Sequence, residues 1–189
     1  MPISVARRQA TAALAREFPD ARIIDVTSRA EHPWERLSPC YPHGGIPVPF
    51  SPSQSVEGIW QALKVFQTAG ADPAKLTITT MRGLKRTSLR HGPPLGHRPG
   101  LAEGPDEGPG GVQLLDEESA RRRIFLPAYR WMLRHRTAPL IRLLSVLAAR
   151  DHVVLLDLST NGDVSDLSAP LSHAALITLL IQGTWPEEQ

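Results

Sequence analysis

The sequence predicts an α+β fold: a single compact, mostly helical domain over residues 1–189 with a few short strands. Three observations lead there. Apolar residues recur at the helical period in several segments, most clearly 55–66 and 139–150. Two short apolar, partly β-branched runs, 22–27 and 152–158, read as strands. A chain of 189 residues is long enough for one domain with a substantial core.

Taken in order, residues 4–17 read as an Ala-rich helix with Ser4 as its cap, ended by Pro19-Asp20. Residues 22–27 form a strand, and no Gly-rich turn follows it, which speaks against a dinucleotide fold. The segment 31–54 carries prolines at 33, 39, 42, 47, 49 and 52, yet holds Trp34, Leu37, Tyr41, Ile46, Val48 and Phe50. That much apolar surface predicts a loop packed over the core, with Gly44-Gly45 as a turn and residues 46–50 as an edge strand. A helix starts at Ser53 or Ser55 and runs to about Gly70. Residues 73–86 are a short helix or strand, Asp72-Pro73 favouring a helix start, followed by a basic turn at Arg82-Gly83-Leu84-Lys85-Arg86.

The composition then breaks. Between Gly92 and Gly111 seven glycines and five prolines occupy twenty positions, so 87–112 reads as a mobile insertion in which His91, His97 and Arg98 are solvated. Asp116-Glu117-Glu118 opens a helix over 116–135, which Pro127 kinks or restarts. Its arginines (121–123, 130, 134 and 136) fit a solvated face with acidic partners better than a nucleic-acid surface. A helix over 139–150 and a strand buried on both faces at 152–158 follow. The strand delivers a polar loop, 159–166. Ser168 then caps a last helix that Gly183 ends.

Composition narrows the function. A net charge of +2 with 21% charged residues excludes a nucleic-acid-coating protein but permits an anionic ligand. The lone Cys40 cannot form an intramolecular disulfide and reads as a small packed residue. The first residues lack a signal-peptide core, and no run reaches the roughly 18 apolar residues of a membrane span, so the cytoplasm is expected. The seven histidines make no HExxH pair, and no metal site is expected.

The helix over 55–66 carries the functional expectation. Val56, Ile59, Leu63 and Phe66 share one stripe, and Glu57, Gln61 and Lys64 share another, with Trp60 between them. A carboxylate, an amide, an ammonium and an indole on one side form a candidate wall for a polar pocket; the more usual reading of such spacing is a half-exposed helix with Glu57 and Lys64 on a solvated face.

The stretch Ser55-Val56-Glu57-Gly58-Ile59-Trp60-Gln61-Ala62-Leu63-Lys64 resembles a helix of the NADAR superfamily, whose pattern is Ser/Thr-x-Glu-His-x-x-Gln-Ala-x-Lys-Phe. Gly58 stands where His is usual. Trp34 to Leu37 with Pro39, Tyr41 and Pro42 is similar to that family's proline-rich loop without its Asn, and Gly83 to Arg86 to its basic turn. Asp163 matches the Asp of its C-terminal Asp-x-x-Trp-Gly, with Asp166 as a rival, and the Trp-Gly is missing.

The resemblance implies the family's α+β domain and cleavage of an N-glycosidic bond in a phosphoribosyl or ADP-ribosyl compound, without metal or organic cofactor. Glu57 would stabilise the positive charge that builds on the sugar, with Asp163 as the second carboxylate. Trp60 would stack on the base. Gln61 would hold Glu57 or the ligand, and Lys64, Arg82 and Arg86 would bind phosphate. The alternative expectation is a non-catalytic binder or sensor of NAD- or ADP-ribose-type ligands. A third is a structural or nucleic-acid-associated protein using the arginines of 121–136.

Overall fold

The structure, a computed structural model, describes residues 3–47, 52–101 and 111–188. It is α+β, with two small sheets. The sequence reads as one domain; the structure divides the chain into two compact units, residues 1–38 with 133–186 and residues 39–132 with 187–189.

The first unit is built on a three-stranded parallel sheet. Strands β1 (Ile3–Arg7), β2 (Arg22–Asp25) and β5 (Val153–Asp157) lie in the order β1-β5-β2, so β5 sits between two strands that helix α1 (Thr11–Glu17) connects. All five residues of β5 are buried, as its continuous apolar run predicts. Val154 and Leu156 pack with Ala6 and Leu14, and Phe18, Ala21 and Ile23 close around them. Helices α6 (Ala138–Arg150) and α7 (His173–Gln182) contact β5.

The start of this unit corrects the sequence reading. Residues 3–7 are a strand, not the first turns of a helix, and only Thr11–Glu17 is helical. The helical propensity of this segment yields to pairing with β5, which a five-residue strand gains along its whole length. Ser4 is therefore no cap; its hydroxyl bonds the His152 ring at 2.9 Å. The last helix also begins later than expected. Ser172, not Ser168, accepts the N–H of Ala175, while Ser168 bonds Asp166 in the preceding turn. Gly183 ends α7 in the left-handed conformation, as its position predicts.

Polar groups at the end of β5 are fully used. The Asp157 carboxylate accepts from Ser172 Oγ at 2.8 Å and from the N–H groups of Leu158 and Ala174, and it pairs with His173 Nδ1 at 2.9 Å. His173 Nε2 faces the Val26 carbonyl at 2.9 Å. Both ring nitrogens thus meet acceptors, which only the imidazolium satisfies by donating twice. Burial opposes that charge, but the bond to Asp157, its charge and the Val26 carbonyl outweigh it and hold the His173 pKa above its ordinary value. Burial likewise works against the Asp157 carboxylate, yet His173, Ser172 and the Leu158 N–H keep its pKa low.

The second unit centres on helix α2 (Val56–Leu63), which passes directly into strand β3 (Lys64–Phe66). The helix is shorter than expected because β3 pairs antiparallel with β4 (Pro94–His97), and Lys64 lies opposite His97. Ser55 caps α2 by accepting the Gly58 N–H at 3.0 Å. Pro73–Thr77 forms a 3-10 turn capped by Asp72, as the Asp-Pro pair predicts, and α3 (Ser88–His91) precedes β4. Ile46 bridges Ser53, while most of the expected edge strand, 48–50, lies outside the described residues.

Helix α4 (Glu117–Ala120), capped by Asp116, runs through a π-helical stretch, Arg121–Phe125, into α5 (Leu126–His135). The wide turn falls just before Pro127, whose ring crowds the carbonyl four residues back and which offers no N–H, so the expected kink takes this form. Arg122 pairs with Glu118 at 2.9 Å and Arg130 with Glu188 at 2.7 Å. Among the described residues no helix is long and apolar enough to cross a membrane.

Candidate functional site

Helix α2 buries its polar stripe as well as its apolar one. Val56, Ile59 and Leu63 are buried, and so are Glu57 and Gln61. Gln61 Nε2 donates to Glu57 Oε1 at 2.9 Å, and Gln61 Oε1 accepts the Arg86 N–H at 2.9 Å. One amide therefore ties the carboxylate to the segment that carries Arg86. Each such bond contributes about 1 kcal/mol net, but leaving a buried partner unpaired costs about 1–3 kcal/mol.

Arg86 holds the end of the helix. Its guanidinium donates to the carbonyls of Lys64 and Gly70, each at 2.7 Å, and to Gln61 O at 3.3 Å. It also lies 4.9 Å from the Phe66 ring centre. These are carbonyls that the end of α2 and the turn after β3 leave without partners, so Arg86 acts as a side-chain cap. Lys64 Nζ lies 5.7 Å from the Trp60 ring centre and 5.9 Å from that of Phe66. Trp60 packs against His97 with ring centres 3.9 Å apart, and meets Phe125 edge-on at 5.8 Å.

Beside this arrangement opens a cleft of about 510 Å³, lined by residues 69–72, Lys75, residues 85–87, Arg90 and His91. Four fixed cations, Lys75, Lys85, Arg86 and Arg90, face one carboxylate, Asp72. Lys75 donates to the Gly83 carbonyl at 2.8 Å, and Arg86 is engaged as described. The side chains of Lys85 and Arg90 are exposed and make no hydrogen bond or ion pair among the described residues. Asp72 spends one oxygen on the Ala74 N–H. Desolvation, with Arg86 and Arg90 next to it, lowers the His91 pKa, against which Asp72 works in the opposite sense. The cleft is thus an electropositive concavity with two uncommitted cations and a neutral imidazole.

Residues 6–177 match DUF6939, a family of unknown function. The chain is a member of DUF6939. No curated protein and no solved structure matches it.

Membership in DUF6939 corrects the resemblance to the NADAR superfamily, because the match spans the helix, loop and turn on which that resemblance rested. Position 58 shows a physical difference. A Cβ on Gly58 would lie 2.8 Å from the Lys75 carbonyl oxygen and 3.0 Å from the hydroxyls of Ser53 and Ser55. The His of the other family's pattern has no room in this DUF6939 chain.

The remaining sequence candidates separate. Glu57, Trp60, Gln61, Lys64 and Arg86 come together around α2 in the second unit. Arg86 alone of them lines the cleft, and Arg82, on the exposed turn, does not. Asp163 belongs to the first unit, where it is exposed and accepts the Ser165 N–H at 2.9 Å in a tight turn.

Sequence reasoning missed Arg90, His97 and Arg98. Residues 88–97 are helix and strand, and His97 and Arg98 are buried, where the sequence reads a solvated insertion; residues 102–110 lie outside the described residues. The Leu63 carbonyl accepts the Arg98 N–H at 2.8 Å, so this segment is held by α2. His97 is 0% exposed, and neither ring nitrogen has a hydrogen-bond partner among the described residues. Burial, with Lys64 nearby, lowers its pKa to about 3, so the ring is neutral. The glycine and proline content of 92–100 hides the strand, and no apolar alternation marks it, since Leu95 is exposed and His97 buried.

Proposed function

We propose that this DUF6939 protein binds a phosphorylated, nucleotide-type small molecule in the basic cleft of its second unit. The observation that carries this reading is the pair Lys85 and Arg90: two side-chain cations without hydrogen-bond or ion-pair partners among the described residues, on a concavity that already holds Lys75 and Arg86. Four cations gathered against a single carboxylate repel one another, and an anion in the cleft relieves that repulsion. Its volume of about 510 Å³ exceeds what a single phosphate needs and lies in the range of small-molecule pockets. Asp72, with one oxygen uncommitted, and the Thr87 hydroxyl supply partners for sugar hydroxyls.

Calorimetric titration with adenosine 5′-monophosphate at low ionic strength tests this, with adenosine as the uncharged control. The nucleotide should bind and the nucleoside should not. The Lys85→Ala/Arg90→Ala double variant should lose about tenfold or more in affinity, at about 0.5–1.5 kcal/mol per charged contact. A double variant that binds as wild type ends the proposal.

One observation favours hydrolysis of an N-glycosidic bond in such a ligand as a second reading. Glu57, one residue behind the cleft wall, is a carboxylate only 9% exposed whose side chain has the Gln61 amide as its sole hydrogen-bond partner among the described residues, and that amide is joined to Arg86, which lines the cleft. Such a carboxylate can stabilise a developing sugar cation. Its test is release of free base from NAD or a phosphoribosyl-aminopyrimidine. Equal release by wild type and Glu57→Gln rules it out.

A further inference from the structure

The cleft contains one group whose charge is not fixed. His91 lies on α3 between the cations of the cleft, its ring centre 5.5 Å from that of Phe66. Its backbone carbonyl is used, accepting from the N–H and hydroxyl of Thr68 at 3.1 and 2.9 Å. Its ring nitrogens make no hydrogen bond, and they are not among the buried polar atoms without partners, so solvent reaches them. The charged groups that face it are Arg86 from the segment after the basic turn, Arg90 from its own helix, and Asp72 and Lys75 from the 3-10 turn and its cap. Lys85 lines the same cleft. Only Asp72 favours a charged ring.

We propose that His91 makes the cleft selective for phosphomonoester dianions, taking a proton from solvent as the ligand binds and donating it as a hydrogen bond to a phosphate oxygen. The inference rests on the cleft being the ligand site. In the empty cleft, desolvation and the charges of Arg86, Arg90 and Lys75 disfavour a protonated ring, against the single carboxylate of Asp72. A dianion cancels more of that field than a monoanion does, and an opposite charge within about 4–6 Å favours the protonated ring. A neutral ring offers one N–H; the imidazolium offers two and a charge-assisted bond. A terminal phosphate therefore gains a partner that a phosphodiester, with its single charge, recruits less well.

Three probes test this on the full chain: adenosine 5′-monophosphate, its 3′,5′-cyclic diester, and sulfate, a dianion that does not titrate. Titrations run in buffers of different ionisation heat at about pH 7.5, where a monoester with a second pKa near 6 is dianionic. Wild type should take up close to one proton per monoester bound. Its sulfate affinity should rise as pH falls from ~8 to ~6, by up to about tenfold per pH unit where the free ring is neutral and the bound ring protonated. His91→Gln keeps a polar side chain but cannot titrate. It should bind without proton uptake, show flat sulfate affinity, and lose the preference for monoester over diester. Binding without proton uptake in wild type, or uptake retained in His91→Gln, overturns the role of His91 while leaving the cleft intact. Absence of binding by all three probes overturns the cleft as ligand site, and this inference with it.

Discussion

At the end of β5, one buried carboxylate, Asp157, collects a hydroxyl, two backbone N–H groups and an imidazolium. Beside α2, the ring nitrogens of the buried His97 have no hydrogen-bond partner among the described residues, and the side chains of Lys85 and Arg90, a few residues earlier, have none either. Around Asp157 the first unit spends its polar groups on holding itself together. The second leaves several uncommitted, at a cost in stability that folding alone does not explain. That contrast separates a scaffold from a site: a charge already satisfied by the fold has little left to offer a ligand.

The contrast can be broken first with acid. A histidine with an ordinary pKa of 6.5 that drops to about 3 when folded resists protonation in the native state. Stability is therefore lost as pH falls below about 6.5, at about 1.4 kcal/mol per pH unit, or roughly 3 kcal/mol by pH 4. Urea denaturation across this range should show the loss, and His97→Phe should abolish most of it. A His97→Phe protein with the wild-type slope would show that His97 is hydrated or paired in solution.

Asp157→Ala attacks the other side of the comparison. It strands a buried imidazolium and the Ser172 hydroxyl, and should cost about 3–5 kcal/mol by urea denaturation. Here the pH dependence runs the other way. A raised histidine pKa gives stability that is complete below about 6.5 and lost as pH climbs through the folded value. Wild type should weaken on that alkaline side, and Asp157→Ala should not. The lowered pKa of Asp157 adds an acid-side loss, but only below the ordinary carboxylate range near 4.

Gly58→Ala sharpens the reading of α2. Alanine favours a helix by about 1 kcal/mol, but its methyl would meet the Lys75 carbonyl at 2.8 Å. The backbone must shift, and a net loss of about 1–2 kcal/mol in thermal or urea unfolding is expected. A stabilised variant would mean that α2 and the 3-10 turn separate easily. The smallest effect on folding is expected for Lys85→Ala/Arg90→Ala, within about 0.5 kcal/mol of wild type or slightly stabilising. Losses in ligand affinity in that variant are then losses of contact, not of fold.

Much of the scaffold was legible because it follows local rules. The apolar run of β5 needs no partner to be recognised, and Gly183, Asp72-Pro73 and the acids at 116–118 mark helix ends by their own chemistry. The apolar stripe of α2 was equally plain. The polar stripe of α2 and the basic turn were legible as residues, but not their employment. Arg86 reads as a phosphate ligand, yet its guanidinium is occupied by carbonyls up to 25 residues earlier in the chain. Asp163 reads as a second carboxylate, and in the structure it holds its own turn.

By itself, then, the sequence determined where apolar faces repeat and where helices start and stop, since those depend on neighbours within a few positions. Only the tertiary structure decided that residues 3–7 become a strand, that His97 and Arg98 go inside, and which cations are engaged by carbonyls. A side chain's availability depends on what the fold brings beside it from distant segments, and periodicity carries no record of that.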